Sequence, residues 1–193
     1  GAIKVSHGQW SQTIPVLVKG IAAPVPVSFL GDIQPILTKA ACNSGGCHGK
    51  AEGQNGFKLS VFAFDDSFDH DSITRHARGR RINVAAPQTS LLIRKATGIL
   101  PHGGGTKVQV NGLWYKQLTR WIKEGANLDT TNDNTNIRLE VYPPLLEVEA
   151  NTGLQLQVFA IDTEGNRRCV TREAEFFSNT EAVARPDEDG WVH

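Results

Sequence analysis

Apolar positions recur at helical spacing through the first two thirds of the chain and at every second residue in the last third. Ile33, Ile36 and Leu37 follow Asp32, a good N-cap, with Pro35 in the first turn where a missing N–H costs little. Leu91, Leu92 and Lys95 follow Ser90, a second cap residue. Leu113, Trp114, Leu118, Trp121 and Ile122 form a third stripe, closed by Gly125 where a helix end favours glycine. Further on, Leu154, Leu156, Val158 and Ala160 alternate with Gln155, Gln157 and Phe159. The turn DTEGN at 162–166 leads to a second alternating run through Val170, Ala174 and Phe176, and EDG at 188–190 leads into Trp191 and Val192.

This change of period divides the chain. Residues 1–26 read as an N-terminal extended arm, because Lys19, Gly20 and three prolines (Pro15, Pro24 and Pro26) break the apolar patches between Ile14 and Phe29. Residues 27–126 read as an all-α domain. The run NLDTTNDNTN at 127–136 is too polar to enter a core and reads as a linker. Residues 137–193 read as an all-β sandwich that is incomplete, being shorter than the roughly 100 residues of an immunoglobulin-type domain. The predicted helices are joined by glycine-rich stretches, NSGGCHGKAEGQNG at 43–56 and PHGGG at 101–105. A small helical domain with such connections needs something else to fill its centre, and a bound cofactor would do so.

Composition narrows the partners. Twenty basic residues balance twenty acidic ones, so no overall field draws the chain to nucleic acid or an anionic membrane. No apolar run approaches the roughly 18–20 residues that span a bilayer. A signal peptide is not recognisable and the chain has no methionine. It is therefore expected to be a processed or excised piece, with Gly1 and Ala2 as a tag scar.

Of the three cysteines, Cys169 stands alone and is expected to be a buried, inert thiol. The other two lie in Cys42-Asn43-Ser44-Gly45-Gly46-Cys47-His48. A haem c is held by thioether bonds from two cysteines, and the histidine after the second one ligates the iron. The usual spacing has two residues between the cysteines. Here there are four, and Gly45-Gly46 is expected to supply the freedom to accommodate the longer loop. The same residues also admit a Cys42–Cys47 disulfide, a zinc site with a distant histidine such as His102, or unmodified thiols.

Around this motif the chain resembles the planctomycete cytochrome c-like domains. The likeness rests on VSFLGDIQPILTKAACNSGGCHG, GFKLSVF, RGRRINVAAPQTSLLIRKATG, the loop LPHGGG and a final RWIKEGA, together covering residues 27–126. It implies an all-α cytochrome c-like domain with one covalent haem c on Cys42 and Cys47 and with His48 as proximal iron ligand. The longer cysteine spacing is familiar in that group. Residues 137–193 resemble bacterial group-2 immunoglobulin-like domains, which in such proteins belong to longer, exported chains. The implied setting is periplasmic or otherwise extracytoplasmic.

Without methionine, the sixth iron position falls to another residue, water or an exogenous molecule. His102, in the loop before the last helix, is the candidate distal ligand, with His70 and His76 in reserve. DHDSITRHARGRR at 69–81 reads as a mostly solvated helix. Its cluster Arg75, Arg78, Arg80 and Arg81 contains candidate contacts to the haem propionates, chiefly Arg78, Arg80 and Arg81. Asp65, Asp66 and Asp69 form an acidic patch without a regular calcium ligand ladder. No nucleophile–base pair or phosphate loop stands out, so an enzyme is not expected. The function expected is electron transfer to a redox partner protein. The alternatives are a haem-based sensor of a small gas, redox state or ligand exchange, and a zinc- or disulfide-stabilised interaction domain.

Overall fold

A computed structural model describes residues 1–18, 21–22, 24–129, 137–145 and 147–193. The first fifteen residues are a hairpin rather than a simple extended arm. Strands β1 (Ala2–His7) and β2 (Trp10–Pro15) pair antiparallel, with Ile3 opposite Ile14 and His7 opposite Trp10. Gly8 takes φ +57° in the two-residue turn, a conformation that costs glycine no side-chain clash. Both strands are exposed throughout.

The helical part begins with a reciprocal cap. Ser28 Oγ accepts from Gly31 N at 2.7 Å, and the Asp32 carboxylate accepts from Ser28 N at 2.9 Å. A widened turn, Phe29–Ile33, then runs into α1 (Gln34–Lys39). Asp32 is thus the return partner of a cap one turn earlier, not the cap itself. Helix α2 (Asp66–Thr74) starts under Asp65, whose side chain accepts from Phe68 N at 2.9 Å. Helix α3 (Leu91–Ala96) follows Ser90, but that hydroxyl accepts from Asn83 N at 2.9 Å instead of capping its own helix. Helix α4 (Leu113–Lys123) ends before Gly125, at φ +106°. Phe29, Ile33, Leu59, Ile73, Ile93, Leu118, Trp121 and Ile122 form one buried cluster, with the Phe29 and Trp121 ring centroids 5.5 Å apart.

The expected all-α cytochrome domain does not appear. The described residues form only four short α-helices, and 26% of those residues are helical of any kind against 18% in strands and bridges of small sheets. The chain leaves α1 at Ala41, which takes φ +55°, and folded turns rather than further helix follow it. Gly49 and Gly53 admit the backbone of other loop residues so closely that a Cβ would stand 2.1 Å from Asn43 O and 2.3 Å from Phe57 O. Such approaches belong to the folded turns between 40 and 60, where the sequence predicted a glycine-rich connection.

Buried polar side chains hold those turns together. Asp69, 1% exposed, accepts from both the backbone and the hydroxyl of Ser60. Asp66 accepts from Gln34 Nε2 at 2.8 Å. The acidic patch is therefore structural, and α2 is not a solvated helix: it buries Asp69, His70, Ser72 and Ile73.

The C-terminal part comprises β3 (Arg138–Tyr142), β4 (Leu154–Gln155), β5 (Gln157–Ile161), β6 (Arg167–Cys169) and β7 (Trp191–Val192). They form a three-stranded antiparallel sheet, β3-β5-β6, and a two-stranded pair, β4-β7. Val158 and Ala160 face inward as their alternation predicts, against Val170, Ala174 and Phe176. The second alternating run does not continue as a strand, because Glu173 N and Ala174 N both turn back to Val170 O. These two sheets stand in place of the roughly seven-stranded sandwich of an immunoglobulin domain.

Most of the expected linker, 130–136, lies outside the described residues. Its first residues belong to the helical part. Trp121 Nε1 donates to Asn127 O at 3.0 Å, and the Asp129 carboxylate accepts from Ser28 Oγ at 2.9 Å and Leu30 N at 2.7 Å. No helix among the described residues is long and apolar enough to cross a membrane.

Burial separates two tryptophans sharply: Trp121 is 1% exposed and Trp10 75%. Trp121→Ala is expected to cost about 3–5 kcal/mol, and Trp10→Ala less than about 0.5 kcal/mol. Urea denaturation of the two variants checks both values.

Candidate cofactor site

The segment from Cys42 to Leu59 is folded by its own backbone. Cys42 N donates to Leu37 O at 2.8 Å, tying the first cysteine to the end of α1. Cys47 N donates to Ser44 O at 2.9 Å, His48 N to Cys42 O at 2.9 Å and Gly49 N to Ser44 O at 3.0 Å. Asn43 is buried, with its amide on Thr38 Oγ1 at 2.9 Å. Four residues between the cysteines thus make a closed turn. The glycine this turn requires is Gly49; Gly45 and Gly46 face open space and neither has a positive φ.

The turn borders a cavity of about 660 Å³, within the usual range of roughly 300–1,000 Å³ for small-molecule and cofactor sites. Cys42, Cys47, His48 and His102 all line it, though His102 lies 54 positions beyond His48 in sequence. Leu37, Phe57, Leu91, Leu92 and Ala96 supply apolar wall. The His48 and His102 rings are parallel to within 8°, with centroids 6.2 Å apart.

Both rings are fixed from behind. His48 Nδ1 lies 3.0 Å from Phe57 O, and His102 Nδ1 lies 2.8 Å from Gly105 O. A carbonyl only accepts, so each Nδ1 carries the proton and each Nε2 keeps its lone pair. Among the described residues neither Nε2 has a hydrogen-bond partner. Tethering one ring nitrogen to a carbonyl is how proteins orient metal-bound histidines. Burial also holds the His48 imidazole below the usual histidine range, against the opposing pull of its hydrogen bond to Phe57 O, and the Arg81 charge adds to the lowering. The neutral form is the one that ligates.

His102 is carried by a short closed turn. Gly105 N donates to His102 O at 2.9 Å, and Lys95 Nζ donates to Pro101 O at 2.6 Å, fastening the loop to α3.

The other expected site residues divide. Arg80 and Arg81 line the cavity, whereas Arg78 is exposed and does not, and exposed Arg75 pairs with Asp71 at 2.9 Å. His70 is a core histidine: its Nε2 lies 2.7 Å from Ala126 O, and its ring meets Phe29 edge-on at 5.2 Å. His76 is exposed and rests against Ser72 Oγ at 3.2 Å. Neither reserve histidine reaches the cavity. Cys169 is exposed, not buried, and its hydrogen bond with Thr171 holds its thiol below the usual cysteine range.

The sequence reading gave Phe57, Lys95 and Lys107, which line the cavity, no role in the site. Lys95 falls on the predicted α3 stripe, so helical spacing carried a signal for it. Phe57 and Lys107 are placed by turns that no periodicity describes.

The donor set suits a haem. Among the described residues no three His, Cys, Asp or Glu side chains converge on one point, as a bare metal ion would need, and all three cysteines are free thiols. A porphyrin brings its own nitrogens and asks the protein for one or two axial ligands. Two thiols at the wall, two oriented imidazoles, apolar sides and the cations Arg80, Lys95 and Lys107 match its vinyl groups, iron, ring and carboxylates.

Burial pushes the Cys42 thiol up to about 11. Because the thiolate is the reactive form, iodoacetamide is expected to label haem-free protein first at Cys169 and last at Cys42. The Cys42 rate should keep climbing until the pH nears 11, which peptide mapping after timed quenching will show. Comparison of the chain with family models, with curated proteins and with solved structures finds no match, so the site rests on its own residues.

Proposed function

We propose that residues 27–129 hold one covalent haem c and serve single-electron transfer. The observation that carries this reading is the pair of parallel imidazoles, 6.2 Å apart beside Cys42 and Cys47, each with its Nδ1 proton spent on a backbone carbonyl. Cys42 and Cys47 would form the two thioethers, His48 and His102 would ligate the iron, and Arg80 with Lys107 would face the carboxylates. The bound group supplies a metal centre that takes up and releases one electron. The chain's own contribution is to orient both ligands, exclude bulk water from the apolar wall and set the local charge.

Bis-histidine ligation favours oxidised iron more than His/Met ligation does, and with no methionine in the chain a low potential follows. Haem attachment occurs outside the cytoplasm, so an exported setting belongs to the same proposal.

The visible spectrum after an acid–acetone wash tests it. Retained haem c with a low-spin spectrum, and refusal of carbon monoxide by the reduced protein, is the expected result. His102→Ala should convert the spectrum to high spin and open the site to carbon monoxide. Rapid, tight carbon monoxide binding by the unaltered protein would move the site to gas sensing. A colourless protein from a host that attaches haem would leave a disulfide- or zinc-held interaction domain.

A further inference from the structure

Arg81 is a cation buried without an anion. It is 4% exposed, and among the described residues no carboxylate pairs with it. Its Nη1 donates to Ser72 O at 2.9 Å and His76 O at 3.0 Å, and its Nη2 donates to Gly56 O. These carbonyls fix the guanidinium but leave its charge uncompensated, and buried charges are ordinarily paired. The guanidinium lies 4.7 Å from the centroid of the Phe57 ring. That ring in turn lies 4.5 Å from the His48 ring, and the Phe57 carbonyl holds His48 Nδ1 at 3.0 Å. Arg81, Phe57 and His48 therefore form a continuous chain of contacts, the two rings tilted by 47°, that ends at the proposed proximal ligand.

We infer that Arg81 is a positioning residue that sets the reduction potential of this site: it braces Phe57 behind His48, and its unpaired charge favours the reduced iron. This rests on the haem reading above. It gives Arg81 a role beside the propionate contact expected from sequence, three of its five N–H donors being held by backbone carbonyls. A fixed positive charge in a poorly solvated wall raises the potential of a nearby centre, because reduction lowers the centre's own positive charge. Arg81 would thus offset part of the lowering that bis-histidine ligation brings.

Optical redox titration of the haem-loaded protein tests the inference on wild type, Arg81→Gln and Arg81→Lys across a range of pH. Arg81→Gln is expected to shift to a more negative potential with its haem still attached. Arg81→Lys should track wild type at low pH and fall toward the glutamine variant as pH rises, because burial eases loss of the ammonium proton. Arg80, Lys95 and Lys107 also face the cavity, but they are common to all three proteins and cancel in the comparison. A glutamine variant at the wild-type potential, or a lysine gap that does not change with pH, would overturn the inference. If Arg81→Gln does not fold, the pH course of the lysine gap decides alone. A wild-type chain without covalent haem ends both readings, whereas an intact haem spectrum with coincident potentials ends this one only.

Discussion

His48 is gripped from three sides, and the rest of the site depends on that grip. Its N–H reaches back to Cys42 O at 2.9 Å, its carbonyl receives Leu59 N at 2.9 Å, and its ring is tied to Phe57 O at 3.0 Å. The first bond sets the histidine against the first cysteine. The second anchors it to the core, where Leu59 is fully buried. The third fixes the imidazole, with its Nδ1 on Phe57 O, in the wall of the cavity. A histidine on a glycine-rich loop would otherwise sample many rotamers, and fixing them before a ligand arrives removes that entropic cost from binding.

The same device recurs wherever the chain lacks helix. Asp69 organises Ser60, Arg81 gathers three backbone carbonyls, His70 holds Ala126 O, and Asp129 closes the Ser28 turn. A buried polar group left unpaired costs about 1–3 kcal/mol, and no buried side-chain nitrogen or oxygen among the described residues lacks a partner. With only short helices to pack, these internal bonds hold the turns between them, and Arg81 among them also lines the cavity. They also explain how His102, far from His48 in sequence, arrives opposite it: Lys95 on α3 fastens the loop at Pro101, and the His102–Gly105 turn closes on itself.

Helical spacing in the sequence located α1, α3 and α4, because an apolar stripe facing a core is a local signal. The alternation around Val158 and Ala160 did the same for β5. The cysteines, His48 and His102 were legible from residue chemistry and from their setting in glycine-rich loops, and the structure brings all four to one cavity. What escaped depends on contacts between distant residues. Charge density alone did not separate Arg81, drawn inside by carbonyls of Gly56, Ser72 and His76, from exposed Arg78. Polar composition hid the burial of Asp69 and His70 in α2. Cys169 looked like a core thiol beside Val170, but strand alternation turns it outward while Val170 turns in. The all-α expectation failed for a related reason: period identifies helical faces, yet it does not foresee the folded turns between them, where Gly49 and Gly53 admit close backbone.

Covalent attachment of haem at Cys42 and Cys47 is the claim on which the functional reading stands, and the chain offers a direct way to test it. Trypsin cuts after Lys39 and Lys50, releasing residues 40–50 with both cysteines and His48 in one peptide. Mass spectrometry of that peptide, from protein made in a host with haem-attachment machinery, should show it heavier by one haem. The peptide at its unmodified mass, or lighter by a pair of hydrogens as a disulfide would make it, would contradict the assignment.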